Sequence, residues 1–390
     1  MNQGKYVFAQ LNSLIVRYEF EKCVKRYQGD YKVRDFSCWC QFLCMMFGQL
    51  THRESIRDIA TCLKAHQNKI YHLGIKQPIS HSTLTRANEK RDWRIYADFA
   101  QYLINLVRPL YAEDEEFAID LDNTIYALDS TTIDLCLSVF LWAKFRKKKG
   151  AVKLHTLMDL RGNIPVFVDI TDGKTHDVNT LDLIDLEPNA FYDMDKAYTD
   201  FYRLYDIHQS KAFFVIRAKD NLKFRRISSK RVDKTKGLRC DQTIKLTGIK
   251  TSTLYPEKLR RIKYSDAEND LLMVFLTNNF DVEALDICLL YKNRWQIELF
   301  FKWIKQHLRI KTFWGYSPNA VKTQIWIAIC TYLLIAYAKK KLKSNLSLYE
   351  TTQILGVSVF EKTPLNELLT IISKNELIEE KYNQLNMFEL

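Results

Sequence analysis

Three acidic residues lie in surroundings where an unpaired carboxylate is costly. Asp129 shares the parity of Ile125 and Ala127 in the alternating run TIYALDSTTI, so strand periodicity aims it at the side that reads as buried. Asp195 closes the run NAFYDMD with Phe191 and Asp193 on its own parity, and from these residues alone either aspartate could be the functional one. Glu298 belongs to a helical pattern, YKNRWQIELFFKWIK. At about 100° per residue, Tyr291, Arg294, Glu298 and Lys305 fall in an arc of roughly 60°. That stripe borders the apolar face formed by Leu290, Ile297, Phe301, Ile304 and Leu308. Each feature also has a plain structural explanation: a turn aspartate at a strand end, and an intrahelical Arg294–Glu298 ion pair. Trp295 sits just outside the stripe, where an indole could pack or stack on an unpaired base.

A few carboxylates on rigid elements suit hard divalent cations. Mg²⁺, or Mn²⁺ in its place, keeps several waters while Asp and Glu hold it, and two such ions about 4 Å apart serve phosphodiester cleavage without a covalent enzyme intermediate. No His or Cys cage is required. Cys38, Cys40 and Cys44 lack paired spacing and lie in the helix-like stretch SCWCQFLCMMF, so they read as small buried hydrophobes. Nine cysteines, an odd number scattered through a large-core chain, argue for reduced thiols over a disulfide framework.

The elements that must position these acids are of several kinds. Residues 1–110 carry apolar spacing of helical period and predict a helical domain. Within it, SIRDIATCLKA and SHSTLTRANEKRDW, separated by a break around Gly74 and Pro78, resemble a helix-turn-helix-like DNA reader or the helices of a plain bundle. From Thr124 the texture turns to short strands with a turn at Arg161-Gly162-Asn163, then a short helix, the strand at Asp195, a helix and the strand AFFVIRA. Residues 115–219 therefore read as the first part of a mixed, helix-flanked α/β (α+β) core. Residues 220–280 read as a basic β-rich insertion closed by LLMVFLTNN, and a long helix from about Val282 to Leu308 opens the second core part, 281–335. Residues 336–390 read as a helical C-terminal region. No internal repeat is evident.

The chain carries 58 Lys+Arg against 46 Asp+Glu, a net charge of +12, which favours a polyanionic partner. Met1 to Ala9 has no apolar signal core, so a cytoplasmic location is expected. The apolar run Ile325 to Ala338 is shorter than the ~18 residues of a membrane span and reads as a buried helix, so no membrane partner is expected.

These motifs, taken together, resemble the insertion-sequence-four family of bacterial DDE transposases. The family signature of Tyr, two residues, Arg, three residues, Glu, six residues, Lys is matched by Tyr291, Arg294, Glu298 and Lys305. The first acidic motif is matched by Asp129-Ser130-Thr131 and the second by Asp195-Lys196-Ala197-Tyr198, with alanine for the more usual glycine. Lys153-Leu154-His155 resembles the family's second strand. The resemblance implies a ribonuclease-H-like catalytic core, a DNA-binding helical N-terminal domain, and Asp129, Asp195 and Glu298 as ligands of two Mg²⁺ ions. It favours Asp195 over Asp193. It implies binding of transposon terminal inverted repeats, end cleavage with a hairpin intermediate, joining to target DNA by cut-and-paste, a homodimer on double-stranded DNA, and a bacterial, nucleoid-associated location. Tyr291, Arg294 and Lys305 would contact terminal phosphates, and Lys153 and His155 would contact DNA. The basic turn KFRKKK (Lys144 to Lys149), with Arg146, Lys147, Lys148 and Lys149, and the insertion's Lys223, Arg225, Arg226, Lys230 and Arg231 suit backbone contact. Two rivals remain: a metal-dependent nuclease on the same core without strand transfer, and a catalytically silent DNA-binding regulator.

Overall fold

The computed structural model describes residues 4–112, 121–136, 138–146, 149–267, 270–308, 310 and 312–370. They cluster into two units, one of residues 1–111 with 302–390 and one of residues 112–301.

The first unit is helical. Its N-terminal part holds α1 (Val7–Asn12), α2 (Arg17–Arg26), α3 (Cys38–Leu50), α4 (Ile56–Ala65), α5 (Gln67–Ile70), α6 (His81–Lys90) and α7 (Arg94–Tyr111). Ser37, Ser55 and Ser80 cap α3, α4 and α6 by accepting a backbone N–H three residues on, which satisfies a donor the helix itself cannot. Every residue of α3 is buried, including Cys38, Cys40 and Cys44. The C-terminal part of the unit contributes α12 (Pro318–Lys341), α13 (Leu348–Ser358) and α14 (Leu365–Leu368). The 24-residue α12 starts with Ser317 as its cap and Pro318 in its first turn, and is apolar on all sides because α3, α6, α7 and α13 pack around it. It is long and apolar enough to cross a membrane, but it is a core helix of this unit. The Asn319 amide donates to the Asn88 and Arg91 carbonyls at 3.1 and 2.6 Å, closing the turn between α6 and α7.

The second unit is built on one mixed sheet. Its strands are β1 (Ile125–Leu135), β2 (Lys144–Arg146), β3 (Lys149–Asp159), β4 (Ile164–Asp172), β5 (Phe191–Met194), β6 (Phe213–Arg217), β7 (Phe224–Lys230), β8 (Leu238–Leu246), β9 (Lys258–Asp266) and β10 (Leu271–Thr277). They run in the order β2-β3-β1-β5-β6-β10-β9-β8-β7, with β4 on β3. β1, β3 and β4 are antiparallel, whereas β5 and β6 continue parallel to β1. Gly162 and Asn163, at φ 78° and 58°, take left-handed positions in the four-residue loop between Asp159 and Ile164 that joins β3 to β4. Residues 220–280, read from the sequence as a β-rich insertion, hold β7, β8, β9 and β10. They continue the same sheet, because β10 pairs with both β6 and β9. Part of the expected basic turn, Lys144–Arg146, is the short strand β2.

One face of the sheet carries Tyr126, Leu128, Tyr192, Met194, Phe214 and Ile216, packed with α8 (Phe201–Gln209) residues Leu204 and Ile207. Strand alternation sends Ala127, Asp129, Asp193, Val215 and Phe275 to the other face, where α10 (Ala284–Asn293) lies. A small helix, α9 (Ile249–Leu254), sits between β8 and β9. The single helix expected from Val282 to Leu308 is in fact two, α10 and α11 (Trp295–His307), meeting at Arg294. Arg294 N–H bonds the Tyr291 carbonyl and Ile297 N–H bonds the Arg294 carbonyl, both at 3.1 Å. These three-residue bonds tighten the turn without reversing its direction.

Candidate active site

The parallel register places the two aspartates. Ile125 pairs with Phe191, and the match continues to Leu128 with Met194, after which β5 ends. Asp129 and Asp195 are the next residue on each strand. They lie side by side at the point where β1 loses its parallel neighbour, roughly 5 Å apart along the backbone by ordinary strand spacing. By parity they share the face that α10 covers.

Arg294 joins that face to the helix. Its guanidinium donates to Asp129 Oδ2 and to Glu298 Oε1, each at 2.8 Å. The arginine and Asp129 side chains are 13% and 21% exposed, whereas Glu298 is 58% exposed and reachable by solvent. Tyr291 donates its hydroxyl to Asp195 Oδ1 at 3.4 Å, and its ring is fixed against Phe275 with centroids 4.7 Å apart. Tyr291 at the end of α10 and Arg294 at the α10–α11 junction thus reach all three acids between them.

The charges are imperfectly balanced. Burial pushes the Asp129 carboxyl above its ordinary range, even though Arg294 and the Ser130 amide pull it down. Arg294 loses solvation too, but Asp129, Tyr291 and Glu298 hold its proton more firmly than usual. A carboxylate in this condition gains from a further cation. Asp129, Asp195 and Glu298 offer the hard oxygen donors that Mg²⁺ or Mn²⁺ takes, so the residue types fit such ions. Among the described residues no three His, Cys, Asp or Glu side chains converge on one point at ligand spacing; Glu298 is turned to Arg294. Asp193, the other candidate, is fully buried with neither oxygen hydrogen-bonded, and burial drives its carboxyl far above the usual range. Asp195 is only half-buried.

The remaining sequence candidates divide. Trp295 is 52% exposed beside Arg294, and a cleft of about 450 Å³ is lined by both with Tyr291, Lys292, Asp266, Leu271 and Met273. Lys305 lies two turns beyond Glu298 on α11 and is half-buried. Lys223, Arg225, Arg226, Lys230 and Arg231 are exposed on and beside β7. Lys147 and Lys148 lie outside the described residues, while Arg146 and Lys149 belong to β2 and β3.

The expectation that Lys153 and His155 contact DNA needs correction. His155 is fully buried, with Nε2 on Thr171 Oγ1 at 2.9 Å. Lys153 is 14% exposed and spends its ammonium on Asp177 Oδ1 at 3.1 Å and the Thr175 carbonyl at 2.9 Å. Both lie on the face of β3 that Ser130 shares, where the segment carrying Thr175 and Asp177 covers them. Sequence reasoning also missed Asp177, whose only signal was a lone acid opening the segment DVNTLDL.

The site thus combines two aspartates at the ends of adjacent parallel strands with a glutamate on α11 that Arg294 links to one of them. Residues 120–334, more than half of the chain, match the family "Transposase DDE domain", and residues 3–76 match a domain of unknown function (DUF4372). The chain belongs to the DDE transposase family, of the insertion-sequence-four type. Among its relatives, a protein of Sinorhizobium fredii carrying a transposase name is 34% identical over 60% of this chain and 66% of its own length. A probable transposase for insertion sequence element IS5377 of Geobacillus stearothermophilus is 31% identical over 57% of this chain and 59% of its own. Both alignments span less than two thirds of the relative's own length. One for insertion sequence element IS4SA of a Synechocystis strain is 23% identical over 66% of this chain and 72% of its own. A solved piggyBac transposase synaptic complex with hairpin DNA overlays with a TM-score of 0.44 at 11% identity over 90% of this chain and 77% of that one, too slight a likeness to assign the fold.

Proposed function

We propose that this chain is the transposase of a bacterial insertion sequence, working on the nucleoid in the cytoplasm, with Asp129, Asp195 and Glu298 as its catalytic acids. The observation that carries the reading is the register of β1 and β5, which brings Asp129 and Asp195 together while Arg294 bridges Asp129 to Glu298. The sheet order, antiparallel through β4, β3 and β1 and then parallel through β5 and β6, supports a ribonuclease-H-like core. Two Mg²⁺ ions, or Mn²⁺, held by the three acids would supply activation of the attacking oxygen and stabilisation of the leaving one.

The chain's own residues do the rest. Arg294, Tyr291 and Lys305 hold terminal phosphates of the double-stranded transposon end, Trp295 stacks on an unpaired base, and the exposed cations of β7 hold the backbone. The helices α4 and α6 read the terminal inverted repeat, and two copies of the chain pair the two ends. Cleavage proceeds through a hairpin, and the freed 3′-hydroxyl then joins target DNA in a cut-and-paste reaction.

The test is incubation of the full chain with labelled end DNA, target DNA and Mg²⁺. Nicked, hairpin and joined products are expected, and Asp129→Asn, Asp195→Asn and Glu298→Gln each abolish all three while end binding persists. Cleavage without joining would make the protein a nuclease. Binding without cleavage would make it a regulator.

A further inference from the structure

The face of β1 opposite Asp129 carries a second polar cluster that the chemistry above does not use. Ser130, next in the strand, points away from Arg294 to the side it shares with His155, its antiparallel partner, and with Lys153, the partner of Thr132. There Asp177 opens the short 3-10 turn Asp177–Leu183. Its Oδ1 accepts the Ser130 hydroxyl at 2.7 Å and the Lys153 ammonium at 3.1 Å, with His155 Nδ1 at 3.7 Å. Lys153 also donates to the Thr175 carbonyl at 2.9 Å, so the segment leading into Asp177 is tied to β3 at two points. Burial alone would raise the Asp177 carboxyl, but the Ser130 hydroxyl and Lys153 hold it below its ordinary value, so it is ionised.

Ser130 looks both ways. Its side chain is held by Asp177, and its backbone N–H donates to Asp129 Oδ1 at 2.7 Å. The parallel support from β5 has ended two residues before Ser130, at Leu128 and Met194. The Asp129 carboxylate is thus held at both oxygens, Oδ2 by Arg294 and Oδ1 by the Ser130 N–H, so what restrains Ser130 fixes one of its two anchors.

We propose that Asp177, anchored by Lys153, is a positioning residue: through Ser130 it restrains the Asp129 carboxylate that, with Asp195 and Glu298, would hold a divalent cation. This rests on the assignment of those three acids as the metal site. Groups that orient metal ligands without touching the metal change its affinity by roughly 10- to 100-fold.

The experiment measures Mn²⁺ binding by paramagnetic resonance titration of the full chain, alongside end binding and cleavage, for the wild type and for Asp177→Asn, Ser130→Ala and Ser130→Thr. Asp177→Asn and Ser130→Ala should each weaken Mn²⁺ binding by roughly 10-fold or more, slow cleavage, leave end binding unchanged, and recover cleavage as Mn²⁺ is raised. Ser130→Thr, which keeps the hydroxyl, should behave as wild type. Wild-type Mn²⁺ affinity in both disruptive variants would overturn the proposal, as would a cleavage defect that no Mn²⁺ concentration relieves. If Asp177→Asn does not fold, Ser130→Ala, which removes one oxygen, decides alone. A wild-type chain that neither binds Mn²⁺ nor cleaves would overturn the metal-site assignment, and the positioning role with it.

Discussion

Arg294 is the residue on which the geometry of the site turns. One guanidinium serves two carboxylates, which a planar fork can do and a single ammonium cannot. Arg294→Ala strands the largely buried Asp129 and should cost about 2 kcal/mol in metal-free buffer. Added Mg²⁺ should then raise the melting temperature of this variant more than that of the wild type, because the ion replaces the missing positive charge. Equal shifts in calorimetry would show that Asp129 does not depend on a nearby cation. Lys305 poses a different question, since an ammonium cannot ligate a metal. Lys305→Ala should keep the fold and the Mn²⁺ affinity but lose end cleavage by misplacing the reacting phosphate, with Lys305→Arg recovering part of it. Wild-type cutting rates, or an unfolded variant, would reassign Lys305 to structure. At this scale the sequence was readable where a period exists: the Tyr291, Arg294, Glu298 stripe follows helical spacing, and Asp129 follows strand parity. Asp177 was not readable. It lies in a 3-10 turn without a repeating pattern, and its partners Ser130 and Lys153 are 47 and 24 residues away in the chain.

Among the elements, the strands around the acids were legible because alternation and turn chemistry agree, as at Gly162 and Asn163. The break between α10 and α11 was not, because neither Pro nor Gly marks it and the apolar period runs straight through Arg294. The extension of the sheet into β7, β8 and β9 was hidden for a related reason: alternation identifies a strand and says nothing of which edge it joins. That extension has a buried anchor. Arg260 and Asp241 form a two-point ion pair at 2.8 and 2.9 Å with side chains 3% and 6% exposed, and Arg260 also donates to the Val282 carbonyl ahead of α10 at 2.5 Å. Arg260→Met alone should destabilise the protein by about 3–5 kcal/mol by leaving a buried charge unpaired, whereas Arg260→Met with Asp241→Leu should cost much less. Urea unfolding of the two variants checks this, and equal losses would mean that the Val282 contact, not the charge pair, is what matters.

For the molecule as a whole, the excess of 12 positive charges is the property most open to measurement. Each phosphate neutralised should contribute about −0.9 to the slope of log affinity against log salt. End-DNA binding followed by anisotropy should therefore weaken steeply between low and physiological salt. Replacing Arg225, Arg226 and Lys230 of β7 by Ala should make the slope shallower without altering Mn²⁺ binding. An unchanged slope would remove that strand from the DNA-binding surface. The basic balance was plain in the composition, but which cations face outward depended on the fold: those of β7 do, and Lys153 does not.

The parallel pairing of β1 with β5 also bears on how the protein comes into being. The β3–β4 hairpin can close as soon as its turn is made, but Ile125 must find Phe191, 66 positions later in the chain. Contacts at such separation carry a loop-closure penalty before any gain and make folding slow. The two aspartates therefore meet late. A chain still being synthesised, or one caught early in refolding, is expected to hold the hairpin but not the acidic pair, which forms only once β1 and β5 have joined.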